Sequence, residues 1–273
     1  MKSIEIGNPD LVRLLDDITG VAGYFWQRAW AERNGGNISV NVSQYFRDEI
    51  EDLGDYPFHT ADIRYPRLAG GSFFITGTGK RMRDMARQPE GNGCILQIAR
   101  DLKGYRVIWG AGADPHIEPT SEFPSHLAIH DFLLRKKTSH RVILHTHPTH
   151  LIALTHCLDR NQEDRLNRIL WTMHPEMKIF VPRGVGIVPY RLPGSEAIAR
   201  ATVRKLAHHR VVLWEKHGIL ATGEEVMETF DIIDMLNKAA EIYLMCKNAG
   251  FEPSGLSDQQ LAELETMGSQ WQE

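Results

Sequence analysis

Apolar residues recur at Leu11, Leu14, Leu15, Ile18, Val21, Ala22, Phe25, Ala29 and Trp30, close to the period of an α-helix. Asn8 offers an N-cap and Pro9 suits the first helical position. The spacing therefore predicts a helix from Pro9 that runs until Gly35-Gly36, where a left-handed residue can close it. Alternation then predicts a strand over 38–42. Residues 43–71 carry no clean period and read as a long surface excursion, because strand signals resume directly at 72–76. Further strands are predicted at 94–98, 105–109, 142–146, 179–181, 211–214 and 219–221. Helices are predicted over 124–136, 149–157, 195–208 and 224–249, the last stopping at Gly250.

The strands at 94–98 and 105–109 are separated by a short turn containing Lys103-Gly104, which predicts a hairpin. Helices are interspersed with strands but not in strict βαβ alternation. An α/β fold follows, with a mixed sheet covered by helices on both faces.

Composition narrows the classes. The chain has 273 residues, of which 42% are hydrophobic and 24% charged, an ordinary globular balance that excludes a disordered protein. A net charge of -4 gives no global field toward nucleic acid or anionic lipid. No apolar run approaches the ~20 residues of a membrane helix, and the acidic start MKSIEIGNPDLVRLLDD lacks the apolar core of a signal peptide. Cys94, Cys157 and Cys246 form no C-x-x-C pair, so the expectation is buried free thiols in a reducing compartment, the cytoplasm.

Histidine stands out, with 13 in the chain. In Leu144-His145-Thr146-His147-Pro148 a strand would point His145 and His147 to one face, about 7 Å apart along it. Pro148 places the pair at the strand's C-terminal end, where ligands collect in α/β sheets. His217 also follows an apolar strand and precedes Gly218, which permits close backbone approach. Three His ligands with an open fourth position are the donor set of a catalytic zinc. His150 is a rival ligand. So are His126 and His130, at i, i+4 on a predicted helix, although the plainer reading of that pair is helix-surface histidine.

Thr120 and Ser121 precede a helix start, a natural anion site. Glu122 beside them is either a general base near the metal or a residue that complements the helix dipole. Arg33-Asn34-Gly35-Gly36-Asn37 and Thr76-Gly77-Thr78-Gly79-Lys80 are Gly-rich turns whose amides can cradle phosphate, or plain turns. The second is not a Walker A loop, because its spacing differs. Together these features match a small phosphorylated substrate.

Several stretches resemble one family, the class II, zinc-dependent sugar-phosphate aldolases. They are Glu32-Arg33-Asn34-Gly35-Gly36-Asn37, Thr76-Gly77-Thr78-Gly79-Lys80, Pro119-Thr120-Ser121-Glu122, His145-Thr146-His147, Leu151-Ile152-Ala153-Leu154-Thr155, Gly184-Val185-Gly186-Ile187, Leu213-Trp214 with His217-Gly218, and Glu228-Thr229-Phe230 with Ile233-Asp234. They run in the family's order and cover most of the chain. The H-x-H with a distant H-G is shared across the aldolase and epimerase superfamily. The R-N-G-G-N and P-T-S-E forms are narrower and point to the branch acting on L-rhamnulose 1-phosphate.

The resemblance implies a single domain over 1–273, a three-layer αβα fold with a mixed, largely antiparallel central sheet. It implies reversible cleavage of L-rhamnulose 1-phosphate to dihydroxyacetone phosphate and L-lactaldehyde through a zinc-stabilised enediolate, in L-rhamnose breakdown. It implies one Zn²⁺ per subunit on His145, His147 and His217, with Glu122 as the catalytic acid/base. Gly36, Asn37, Thr78, Gly79, Thr120 and Ser121 would hold the phosphate, Asn34 would lie near the reacting oxygens, and Glu176 would lie near the metal. A cytoplasmic homotetramer is implied as well. The alternatives are an L-fuculose- or L-ribulose-phosphate enzyme of the same fold, a zinc hydrolase, and an adducin-like binding module, which the histidine trio disfavours.

Overall fold

Asn8 opens the first helix through its side chain, which accepts from the backbone N–H groups of Asp10 and Leu11. This fills donors that every helix N-terminus leaves without an internal partner. The computed structural model describes residues 3–46, 50, 53–114, 116–157 and 163–271. Helix α1 (Pro9–Gln27) buries Leu11, Leu14, Leu15, Ile18, Val21, Ala22 and Phe25 in one stripe. It ends before the Gly-Gly pair: Arg28 caps it and Ala29 turns left-handed with φ 57°. Trp30 thus joins the core from outside the helix.

The chain then forms β1 (Asn37–Asn41), β2 (Phe58–Thr60), β3 (Ser72–Thr76), the single-turn α2 (Met82–Met85), β4 (Gly93–Ile98) and β5 (Gly104–Trp109). After α3 (Phe123–Lys136) come β6 (Val142–Thr146), α4 (Thr149–Cys157), α5 (Glu163–Met173), α6 (Pro175–Phe180) and β7 (Val185–Val188). The last elements are α7 (Glu196–Leu206), β8 (Val211–Trp214), β9 (Gly218–Gly223), α8 (Val226–Asn248) and α9 (Asp258–Trp271).

Among the described residues the strands make one nine-stranded sheet in the order β2-β5-β4-β3-β1-β6-β9-β8-β7. Every neighbouring pair is antiparallel except β7 with β8. The expected mixed, largely antiparallel sheet is therefore present. The alternation of β6 shows the layers. Val142 and Leu144 join α1, α4, α5 and α8 on one face. Ile143 joins α3 and α7 on the other. Phe73 and Ile75 of β3 pack on that second face beside Leu127 of α3. His145 has the parity of Ile143, so its ring belongs to the α3 side.

Four expectations change. The strand predicted at 179–181 is instead the end of α6, which Pro175 starts, and the strand lies beyond Gly184 at β7. Asn167 of α5 holds β7 there, bonding both Val185 N–H and Val185 C=O. The stripe of Leu166, Ile169 and Leu170 makes α5, a helix that is not among those predicted. The 43–71 excursion is partly interior: Tyr56, Ile63 and Leu68 are buried and β2 extends the sheet onto β5, while 47–49 and 51–52 lie outside the described residues. Of the thiols only Cys94 is buried, with its pKa pushed up to about 12 by burial; Cys157 is exposed and Cys246 half-buried.

Candidate active site

Register builds the site. Asn37 of β1 lies opposite His145 of β6, and β6 in turn pairs with β9, setting His145 against Leu220. The β8–β9 hairpin closes through Glu215, Lys216 and His217, with Lys216 left-handed at φ 61°. That turn carries His217 back over the end of β6. The three imidazole rings stand 4.9–5.2 Å apart, centroid to centroid. One nitrogen from each of His145, His147 and His217 lies within 4.8 Å of the others. Gly218 permits this approach, because a Cβ there would stand 2.5 Å from the Thr146 carbonyl oxygen and 2.8 Å from the His147 ring.

The hydrogen bonds decide what this cluster fits. His145 Nδ1 lies 2.9 Å from the Ile219 carbonyl, which can only accept, so Nδ1 carries the proton. His147 Nδ1 lies 2.7 Å from Glu32 Oε1 and donates to it in the same way. Burial pushes the pKa of His145 well below 6.5, so its ring is neutral and its Nε2 presents a lone pair. That Nε2 stands 3.3 Å from His147 Nε2. His217 adds a ring lowered to about 4, chiefly by burial and then by His147, with a buried Nδ1 that has no hydrogen-bond partner among the described residues. Three imidazoles whose ring nitrogens converge on one point, two of them oriented through their far nitrogens by a carbonyl and a carboxylate, fit a divalent cation of borderline softness.

Glu122 ends the loop before α3 and is only 6% exposed. Its Oε2 accepts from Asn37 Nδ2 at 2.8 Å and lies 3.5 Å from His145 Nε2, while Oε1 lies 3.8 Å from His217 Nε2. Burial raises its pKa, partly offset by the Asn37 hydrogen bond and by His147. A desolvated carboxylate beside a cation site is a stronger base than one in water.

The two Gly-rich turns meet the same point. Gly77 and Pro119 form an isolated bridge, and Thr120 N–H bonds the Thr76 carbonyl at 2.9 Å. A cavity of about 320 Å³ is thereby lined by Asn34, Gly36, Asn37, Thr78, Gly79, Thr120 and Ser121 together with Glu122 and the three histidines. Asn37 brings its side chain to Glu122 and His126.

Glu176 lies elsewhere. Pro175 starts α6, which packs on α9, and the Glu176 carboxylate sits 2.8 Å from His174 Nδ1, outside the cavity lining. His126 and His130 are not surface residues: they are 1% and 2% exposed, behind Asn37. His150 faces Asn237. Glu32 and Arg33 also line the cavity. No periodicity marks Glu32, which bonds a histidine 115 positions away.

A nine-stranded sheet of this order with a three-histidine cluster at one rim defines a class of protein, and the chain belongs to the class II aldolase and adducin N-terminal domain family, whose pattern matches residues 16–244. Within it, the chain is 46% identical over 265 residues to the rhamnulose-1-phosphate aldolase of Bacteroides thetaiotaomicron, covering 97% of each. It is 37% identical over 244 residues to the rhamnulose-1-phosphate aldolase of Pectobacterium atrosepticum, covering 88% of this chain and 87% of the other. The crystal structure of a sugar-phosphate aldolase from Thermotoga maritima superposes with a TM-score of 0.74 at 33% identity, over 90% of this chain and 100% of that one.

Replacing Glu32 with Ala frees the His147 ring and should weaken divalent-cation affinity by ~10–100-fold, read by calorimetric titration of zinc into metal-stripped protein. Unchanged affinity would show that Glu32 does not orient the ring. A second expectation concerns pH. Burial holds His126 and His130 down at about 3, against an ordinary 6.5. Below 6.5 the unfolded chain takes up protons that the folded chain refuses, so stability present above 6.5 is lost as pH falls toward 3. The urea midpoint should be lower at pH 5 than at pH 7, and the drop should shrink in His130→Gln.

Proposed function

We propose that this chain is a class II aldehyde-lyase that cleaves L-rhamnulose 1-phosphate reversibly to dihydroxyacetone phosphate and L-lactaldehyde, in the breakdown of L-rhamnose. The observation that carries the reading is the meeting, in one cavity, of three imidazoles, a buried carboxylate and two Gly-rich turns. The named activity of the relatives at 46% and 37% identity supports the choice of sugar.

In retro-aldol cleavage the C4 hydroxyl loses its proton and becomes the aldehyde carbonyl as the C3–C4 bond breaks. The electron pair of that bond stays on C3, next to the ketone, where a proton is added back. Zinc held by His145, His147 and His217, one ion per subunit, supplies when bound a Lewis acid toward the hydroxy-ketone oxygens. Glu122 moves the proton at C3, giving it up after cleavage and taking it back in the condensation direction. Its burial supplies the basicity, and the Asn37 amide holds its Oε2 in place. Gly36, Asn37, Thr78, Gly79, Thr120 and Ser121 hold the phosphate, with amides and hydroxyls gathered at the N-terminus of α3. Binding the phosphate away from the reacting bond contributes energy that positions C3 against Glu122. Asn34 lines the same cavity and would lie near the reacting oxygens.

We take 1–273 as one aldolase domain, supported by the single sheet and by the packing of α9 on α6. A cytoplasmic homotetramer is the assembly that the family resemblance implies. Among the described residues no helix is long and apolar enough to cross a membrane.

Glu122→Gln should keep the cavity's shape and slow release of dihydroxyacetone phosphate by ~10²–10⁴-fold, measured in a coupled assay with L-rhamnulose 1-phosphate. Near-normal turnover would remove Glu122 from proton transfer. His145→Ala should lose both bound metal, measured by elemental analysis, and activity; a variant that retains both sinks the assignment. Running the same assay with L-fuculose 1-phosphate and L-ribulose 5-phosphate separates the related sugars.

A further inference from the structure

From Asn37, which lines the cavity beside Glu122, polar side chains lie buried in a line that runs away from it. Asn37 is 5% exposed, Ser39 0%, His126 1% and His130 2%. The aldol reaction as derived above uses neither Ser39 nor either of these histidines. They stand among Phe73, Ile75 and Ile129, where apolar side chains would fill the space at no desolvation cost.

The direction of each hydrogen bond follows from its partner. A carboxylate accepts, so Asn37 turns Nδ2 to Glu122, 2.8 Å away, and Oδ1 to His126. An amide oxygen also accepts, so His126 Nε2 carries the proton across 2.5 Å. Burial keeps this ring neutral, so its Nδ1 holds a lone pair. Ser39 Oγ, at 2.7 Å, therefore donates to His126 Nδ1. The Ser39 oxygen in turn accepts from His130 Nε2–H at 2.8 Å. The His130 ring packs against the Phe73 ring, tilted to it by 47° with centroids 4.8 Å apart. With neutral rings this one arrangement satisfies every partner, and every N–H and O–H points toward Glu122.

The arrangement matters because an Asn amide is nearly symmetric in shape. Rotated by 180°, Asn37 would aim its oxygen at the Glu122 carboxylate. The proton on His126 Nε2 selects the productive orientation from behind, whatever the protonation state of Glu122, and Ser39 and His130 hold that proton on Nε2. We propose that His130, Ser39 and His126 are positioning residues, a proton-ordered string that locks Asn37 as a donor to Glu122 and so fixes the carboxylate for proton transfer. The catalytic half of this inference rests on the role given to Glu122 above; the ordering of the string does not.

Nitrogen-15 NMR of the full-length, histidine-labelled protein reads the tautomers without any turnover. His126 and His130 should both be Nε2–H tautomers and neutral from pH 6 to pH 9. An Nδ1–H tautomer at His126 overturns the proposal. Kinetics test the consequence. His126→Leu should lower kcat for dihydroxyacetone phosphate release by ~10–100-fold, the usual cost of losing a residue that orients a reactive group, with KM and metal content within twofold of wild type. His126→Gln, whose amide N–H reaches the same point, should recover most of that loss. Equal kcat in the Leu and Gln variants, or a Leu variant within twofold of wild type, overturns it. Should His126→Leu fail to fold, Ser39→Ala removes the hydroxyl with little change in volume and should lower kcat, again with unchanged KM. Failure of the aldol reading looks different: wild-type protein that releases no dihydroxyacetone phosphate, or a fully active Glu122→Gln, with the histidine tautomers as expected.

Discussion

The structure turns on the convergence of three histidine rings at the rim of one sheet. The Ile219 carbonyl and the Glu32 carboxylate each hold the far nitrogen of one ring, and the two Nε2 atoms that face each other stand 3.3 Å apart. Folding pushes them together, because β6 is pinned between β1 and β9 and its side-chain parity is set by the core on both faces. The Thr146 hydroxyl and His147 N–H both bond the Trp30 carbonyl, so the strand end is held in place.

The same economy governs the charges around it. Apart from Glu122, the groups buried behind the cavity are neutral: His126 and His130 are held near 3, and Asn37 and Ser39 carry no charge. A cation in the site would meet one buried carboxylate and three neutral rings, and its field would be weakened little by other anions. The Glu32 carboxylate is exposed to solvent and reaches the ring from outside, so it orients His147 without adding a buried charge. Glu122 is the exception and is kept in place by a single directed amide.

The relatives set the level at which the protein is understood. A family shared with adducin-like domains fixes the fold but not the chemistry. The 46% identity to a rhamnulose-1-phosphate aldolase reaches further, because it extends over 97% of both chains.

Much of this was written locally in the chain. Period-2 and period-3.6 patterns located α1, β3, β6, α4 and β8, and the H-x-H parity put two ligands on one face before any fold was known. Gly218 signalled a close approach, because only a residue without Cβ tolerates it. What sequence alone could not reach are the contacts between distant segments. Glu32 meets His147, and His126 and His130 turn inward to Ser39, only because β1 lies between β3 and β6 beneath α3. Strand order is chosen by packing over the whole sheet and leaves no periodic trace at the residues it brings together. Helix–strand identity at 175–188 escaped for a related reason: the side chain of Asn167, from another element, holds β7 in its place.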